Sequence, residues 1–310
     1  MEHRIVLGRS GLRVSPICFG TWQMSPIYWG DVSEAGVIAA IDRAIEVGVN
    51  FFDTAGAYGD GLAETTLGKA LHNHPRDKVV IATKVYFHFY PDGRRHADLS
   101  AKYIAEYCDD ALRRLQTDYI DLLQLHSFDP MTPMDETTAA LDQLRKAGKI
   151  RCYGVSNFGT EQLRLARRYG DYATLQPRYS LIDRQIEQDL LPYCANEDIG
   201  VLVYSPLARG MLTGKYDGSE TFSDLRGKDA RFQGESFKAQ AAAVRSLEPI
   251  ARKYDLTICQ LVLAATLCNP AIDCAITGIK TAAQIEEAAG AMGKTIQRED
   301  YFEIRKRLSI

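Results

Sequence analysis

Three short apolar runs each end in a residue capable of acid–base chemistry: Asp53 in NFFDT, Lys84 in VVIATK and His126 in IDLLQLH. Tyr58 follows Asp53 by five positions, in the glycine-rich stretch AGAYGDG. Singly, each has an ordinary structural explanation: a capping aspartate, a solvated lysine, a hydrogen-bonded core histidine, a packing tyrosine. Together they form a proton-transfer set. A hydride delivered to a carbonyl carbon leaves an alkoxide that needs a proton, and tyrosine, with an unperturbed pKa of about 10, is a poor acid at neutral pH. Lowering that value by about two units takes roughly 2.7 kcal/mol of preferential support for the phenolate. A lysine ammonium about 4 Å away supplies on the order of 4 kcal/mol at an effective dielectric near 20. Lys84 is therefore expected to acidify Tyr58, Asp53 to keep Lys84 charged, and a neutral His126 to orient the carbonyl oxygen.

A second set suits a nucleotide. Ser156 and Asn157 follow CYGV and Gln176 lies in TLQPR; hydroxyl and amide groups there match a carboxamide such as that of nicotinamide. Tyr204, just before Ser205, Pro206 and Leu207, offers a flat face for stacking. Gly210, Leu212 and Gly214 in LARGMLTGKY let backbone amides approach a pyrophosphate. Gly278, Ile279, Lys280 and Thr281 open a helix, and a helix N-terminus beside a lysine is a phosphate site. It reads either as the site for the 2′-phosphate of NADP or as an ordinary turn with a surface lysine.

These residues need a frame that gathers strand ends. Runs at 15–20, 50–54, 79–84, 119–126, 152–156, 174–178, 200–205 and 273–278 read as buried parallel strands. Helix-period segments lie between them at 33–47, 101–115, 132–147, 160–169, 184–197 and 281–292. Ser33 suits an N-cap and Gly48 a stop. Alternation of this kind builds either an open doubly wound sheet or a closed barrel. Asp53, Lys84, His126, Ser156, Gln176, Ser205 and Gly278 all fall at or just after C-terminal strand ends. In a barrel those ends converge on one face; in an open sheet they spread along an edge. The expected fold is a (β/α)8 TIM barrel, one domain over residues 1–310. A β-hairpin of residues 4–7 and 12–14 is expected to plug the barrel bottom, and residues 207–236 to form a long loop after strand 7.

Composition narrows the function. The net charge is −3 and no polybasic cluster occurs, which argues against nucleic acid or an anionic membrane as partner. No apolar stretch approaches the roughly 20 residues needed to span a bilayer, and MEHRIVLG does not read as a secretory signal. The 7 cysteines are scattered, without CxxC spacing. They read as buried, reduced thiols of a cytoplasmic protein, and no metal site is expected. The oligomeric state is left open.

The ordered motifs LGRSGLRVSPICFGTW, FFDTAGAYGDGLAETTLGKAL, TKV, IDLLQLH, GVSNF, YSPLARGMLTGKY and AITGIKTAAQIEEA span nearly the whole chain. In these the sequence resembles the aldo-keto reductase superfamily, in the branch of bacterial and plant members and potassium-channel β-subunits. The resemblance implies a (β/α)8 barrel that binds NADP(H) without a Rossmann fold, with Asp53, Tyr58, Lys84 and His126 as catalytic tetrad. It implies cofactor contacts from Gly20, Thr21, Trp22, Asp53, Ser156, Asn157, Gln176, Tyr204, Ser205, Leu207, Gly210, Gly278, Lys280, Gln284 and Glu287. Arg209, Lys215 and Arg231 in the long loop would add positive charge. Two positions depart from the family pattern. Ala288 follows Glu286 and Glu287 where the family often has an asparagine against adenine, and Lys280 lacks the usual neighbouring serine or arginine. NAD therefore stays open beside NADP.

The expected reaction interconverts an aldehyde, ketone or sugar carbonyl with its alcohol. Substrate contacts are expected from Trp22, Tyr58, Phe87 and His126, within a rim that also holds Tyr28, Trp29, Tyr86, His88, Phe89, Tyr90 and Phe128. The aromatic stretch at 86–90 reads as a lid packed on the barrel or as a wall for a sugar or ring substrate. Two other classes bear on the same residues. A cofactor-binding regulatory subunit, like the channel β-subunits, is compatible with the same tetrad. A barrel glycosidase needs two carboxylates about 5 to 10 Å apart, and Asp53 has none at the neighbouring strand ends, since Asp60 and Asp129 lie in loops.

Overall fold

Eight parallel strands close into a barrel in the computed structural model, which describes residues 3–30, 32–89 and 94–309. They are β1 (Ile17–Gly20), β2 (Phe51–Asp53), β3 (Val80–Val85), β4 (Ile120–Leu125), β5 (Ile150–Ser156), β6 (Tyr172–Gln176), β7 (Gly200–Tyr204) and β8 (Cys274–Gly278). Neighbours follow chain order, and β8 closes on β1 in a register running from Ala275 opposite Ile17 to Gly278 opposite Gly20. All eight runs read from the sequence are strands.

The period of two decides where the chemistry falls. In β3, Ile81 and Val85 pack outward among helix residues, while Val80 and Ala82 join the inner cluster. Lys84 continues that inner row at its upper end. In β2, Phe51 is inner and Phe52 outer, so Asp53 faces inward again. Below them the bottom is sealed by the N-terminal hairpin, Ile5–Val6 paired antiparallel with Arg13–Val14. Leu7, Leu12 and Val14 pack with Cys18, Phe51, Leu122 and Leu202. Burial of each such side chain stabilises by about 1.5–3 kcal/mol as an upper estimate. Where the hairpin meets β7, Gly8 has φ +46°, and a Cβ there would stand 2.1 Å from the Gly200 nitrogen.

The outer layer begins with α1 (Glu34–Glu46), capped by Ser33 accepting from the Gly36 amide at 3.2 Å. It continues with α2 (Leu62–Leu71), α3 (Ala101–Leu115), α4 (Met134–Lys146), α5 (Thr160–Arg167) and α6 (Leu190–Asn196). Residues 184–197 do not form the single helix expected from their periodicity. A 3-10 turn at Gln185–Glu187 precedes α6, because Pro192 has no N–H to donate to the Gln188 carbonyl. Five further helices among the described residues fill the stretch from 234 onward: α7 (Gly234–Arg245), α8 (Glu248–Lys253), α9 (Ile258–Leu267) and, after β8, α10 (Ala282–Ala289) and α11 (Arg298–Arg307).

The long connection after β7 is packed, not loose. It runs through 3-10 turns at Ala208–Thr213, Leu225–Lys228 and Ala230–Phe232, and α7 begins before its expected end. Tyr216, Phe222, Phe232 and Phe237 tie it down as an aromatic cluster with centroids 5.2–6.2 Å apart. Among the described residues, no helix is long and apolar enough to cross a membrane.

Candidate active site

At the upper end of the barrel the loops surround a cavity of about 790 Å³. Lys84 lies at its base. Its ammonium donates to Asp53 Oδ1 at 2.7 Å, to the Thr54 carbonyl at 2.9 Å and to the Tyr58 hydroxyl oxygen at 3.1 Å. That uses all three of its N–H bonds. The Tyr58 oxygen is thus an acceptor from Lys84, and its own hydrogen is left for an acceptor in the cavity. Gln176 Nε2 donates to the second Asp53 oxygen at 2.8 Å. The His126 ring meets the Tyr58 ring edge-on, centroids 5.9 Å apart. The structure brings all four residues of the set together.

The loop that carries Tyr58 is braced from below. The Gly56 amide donates to the Tyr107 hydroxyl at 3.0 Å, and a Cβ on Gly56 would stand 2.5 Å from the Tyr107 ring. Tyr107 in turn donates to Glu64 at 2.8 Å, and Arg114 Nε donates to the same buried carboxylate at 2.6 Å. Gly59 and Gly61 turn the chain with φ +64° and +87°. These demands explain the glycine-rich spelling of AGAYGDG. The role of Glu64 was not read from the sequence, because a helix-face glutamate gives no sign of burial until α3 is placed beside it.

Electrostatics correct one expectation. Burial raises the Tyr58 hydroxyl, the Lys84 charge pulls it down, Asp53 pushes it up again, and the result lies above the ordinary tyrosine value. The ammonium is where the sequence arithmetic placed it, but the dry site and the Asp53 charge outweigh it. Burial also opposes the Lys84 ammonium, yet Asp53 and Tyr58 hold it charged well above the usual lysine range. Burial likewise raises the Asp53 carboxyl, against Lys84 and Gln176. With donors at 2.7 and 2.8 Å on its two oxygens, the ionised form is the one the geometry supports. Burial, then the Lys84 charge, drives His126 down to about 3. Its imidazole is neutral, and Nδ1 finds no partner among the described residues.

Most of the residues read as cofactor contacts line the cavity: Gly20, Trp22, Asp53, Ser156, Asn157, Gln176, Tyr204, Ser205, Leu207, Gly210, Lys215, Gly278, Lys280, Gln284 and Glu287. Thr21, Leu212 and Gly214 do not. Thr21 and Leu212 are fully buried, and Gly214 backs onto Ile258, which a Cβ would approach to 2.8 Å. Arg231 is turned away, paired with Asp229 at 2.7 Å and Asp183 at 3.1 Å. Asn157 Nδ2 donates to the His126 carbonyl at 2.9 Å, and its oxygen accepts from Tyr204 at 2.8 Å. Gly278 is required by Gln23, whose amide would meet a Cβ at 1.8 Å.

At the far end of the cavity three cations crowd together: Lys215, Arg226 and Lys280. Burial lowers the Lys280 ammonium, and although Asp224 opposes this, the Arg226 and Lys215 charges lower it further. Arg226 was not singled out in the sequence; it stands in a loop with as many acids as bases, where spacing carries no signal. The mix fits a dinucleotide phosphate. The volume, the amides at one end and the cations at the other match a nicotinamide cofactor laid along the cavity.

On the substrate side, Trp22, Tyr58, Phe87 and His126 line the cavity, with Tyr28 and Trp29. Tyr86 and Phe128 instead pack against the core. His88 turns outward and stacks on Tyr103 at 4.5 Å. The aromatic segment is the strand Phe87–Phe89, paired with Arg95–Ala97, so alternation sends Phe87 and His88 to opposite faces. Tyr90 lies outside the described residues, and of Phe89 only the backbone is described. Asp129 is spent on the Leu99 and Met131 amides at 3.2 and 2.9 Å, so it does not complete a glycosidase pair with Asp53.

A closed (β/α)8 barrel with an Asp–Tyr–Lys–His cluster at its upper end defines the class. The model of the aldo/keto reductase family matches residues 16–308, and the chain belongs to that family. It is 38% identical over 300 residues to aldo-keto reductase YhdN of Bacillus subtilis, covering 95% of this chain and 90% of that one. It is 32% identical over 311 residues to the NADH-specific methylglyoxal reductase of Escherichia coli, covering 96% and 95%. Its fold superposes on a glycerol dehydrogenase of Gluconobacter oxydans with a TM-score of 0.92 at 32% identity, covering 99% and 95%. Family membership makes it an oxidoreductase of carbonyl and alcohol groups that works with a nicotinamide cofactor.

Proposed function

We propose that this chain is an NADPH-dependent reductase of aldehydes, ketones or sugars, with Tyr58 as proton donor and residues 1–310 acting as one barrel domain. The observation that carries the reading is the Lys84 ammonium, fixed by Asp53 at 2.7 Å and donating to the Tyr58 oxygen at 3.1 Å. Bound in the cavity, the nicotinamide supplies the hydride that reduces the carbonyl carbon. Neutral His126 and the Tyr58 hydroxyl then face the carbonyl oxygen together. Tyr58 passes its proton to that oxygen as charge develops there, and the Lys84 charge beside it stabilises the phenolate left behind. Asp53 and Gln176 hold Lys84 in place. Trp22, Phe87 and the aromatic wall exclude water from the reacting oxygen.

The cation cluster of Lys215, Arg226 and Lys280 supports NADPH over NADH, since it surrounds one end of the cavity with more positive than negative charge. The named activities of two relatives, on methylglyoxal and glycerol, support a small polar carbonyl or polyol. Its 7 unpaired cysteines suit a reducing compartment, the cytoplasm. The test is a panel of aldehydes, ketones and sugars offered with NADPH and NADH side by side. NADPH oxidation with at least one small carbonyl is the expected result. Tight NADPH binding with no turnover on any of them would replace this reading with a regulatory, cofactor-sensing one.

A further inference from the structure

The hairpin after β3 carries a second cluster of chemistry-bearing side chains, outside the cavity. Phe87–Phe89 pairs with Arg95–Ala97 so that His88 stands directly opposite His96, their rings stacked with centroids 5.3 Å apart. Asp98 brings Oδ2 to 3.3 Å from His88 Nδ1 and 3.8 Å from His96 Nε2. One ligand atom from each of the three lies within 4.8 Å of the others. We propose that His88, His96 and Asp98 form a binding site for a divalent transition metal of the zinc type, one that clamps the hairpin at the mouth of the cavity. This departs from the metal-free expectation drawn from the cysteines, because these ligands are two histidines brought together by strand register and an aspartate directly after the second strand.

The donor set fits. Two imidazoles and one carboxylate are a common three-ligand zinc shell with a fourth position open to water. Tetrahedral bonds of about 2.0 Å require ligand atoms about 3.3 Å apart, and the His88–Asp98 edge already has that length. His96 is half-exposed, so rotation of its ring can shorten the other two edges. The remaining ligands are held by neighbours, as metal ligands usually are. The His88 ring lies flat on Tyr103, at an interplanar angle of 8°. Tyr103 donates through its hydroxyl to the Phe87 carbonyl. Asp98 Oδ1 accepts from the Ser100 amide at 2.9 Å, and the Asp98 amide donates to the Tyr86 carbonyl at 2.8 Å. Oδ2 is thereby turned to the histidines.

The site also has a route to the substrate. Phe87 and Arg95, the sequence neighbours of the two histidines, line the cavity, with the guanidinium 4.9 Å from the Phe87 ring centroid. A metal on the outer face of the hairpin locks the strand pair whose inner face is the cavity wall. Metal binding does not depend on the reductase reading.

The experiment is calorimetric titration of the full-length, EDTA-treated chain with zinc chloride, read beside amide hydrogen exchange over residues 87–97. The expected result is one equivalent bound with Kd on the order of micromolar or tighter, and slower exchange across the hairpin on zinc addition. His88→Gln, His96→Gln and Asp98→Asn should each weaken binding about tenfold or more and abolish the protection, with NADPH binding unchanged as proof of folding. Zinc bound equally tightly by a His88→Gln/His96→Gln double variant would overturn the assignment, as would no binding below millimolar zinc in the parent chain.

Discussion

Lys84 and Tyr58 meet oxygen to nitrogen at 3.1 Å, with the lysine donating. Because the other two ammonium hydrogens go to Asp53 and Thr54, the tyrosine keeps its own hydrogen for whatever occupies the cavity. In the proposed reaction this position makes the tyrosine the proton donor. Burial raises the hydroxyl above the ordinary tyrosine value, and in the proposed reaction the ammonium acts when negative charge moves onto the phenolic oxygen.

That arrangement fixes a pH profile. Tyr58 lies above the ordinary tyrosine value, so the proposed donor stays protonated through neutral pH and reduction should lose rate on the alkaline side, as the proton is lost. His126 is depressed to about 3, so it contributes no limb between roughly pH 5 and 8, where an unperturbed histidine would titrate. The kcat/KM for NADPH-dependent reduction should be flat across that interval. An inflection near pH 6.5 that disappears in His126→Gln would contradict the neutral imidazole.

The Asp53–Lys84 pair predicts a stability effect. Both side chains are almost fully buried, and removing one partner leaves an uncompensated charge, at a cost of about 3–5 kcal/mol. Lys84→Met should lose about that much in urea unfolding, and adding Asp53→Asn should recover a large part of it. A loss within about 0.5 kcal/mol of zero, as for ordinary surface substitutions, would mean the pair is not ionised.

Cofactor choice should follow the cation cluster. Lys280→Met is expected to raise the Kd for NADPH about tenfold, or about 1.4 kcal/mol, while moving NADH by less than about twofold. Fluorescence titration with both cofactors reads this directly. Equal losses for the two would place Lys280 against the shared pyrophosphate instead of a 2′-phosphate.

The barrel was legible because its strands are buried on both faces and end in polar residues. Asp53, Lys84 and Gln176 could be assigned to one face before any geometry existed. Tyr58 was legible only in company, since nothing in AGAYGDG says that Tyr107 and Glu64 hold the loop from beneath. The pocket contact of Arg226 and the outward turn of Arg231 were not legible. Both sit in one loop with similar neighbours, and only the aromatic cluster around Phe232 decides which faces the cavity. The raised pKa of Tyr58 was not legible for a related reason: the Lys84 charge can be placed from sequence, but desolvation depends on how completely the loops close.

The most direct measurement is single-turnover oxidation of NADPH by Tyr58→Phe with a small aldehyde, beside the parent chain. Loss of the proton donor should cut the rate by about 10²- to 10⁴-fold while NADPH affinity stays within about twofold. A Tyr58→Phe variant that turns over at the parent rate would contradict Tyr58 as the donor and, with it, the central claim.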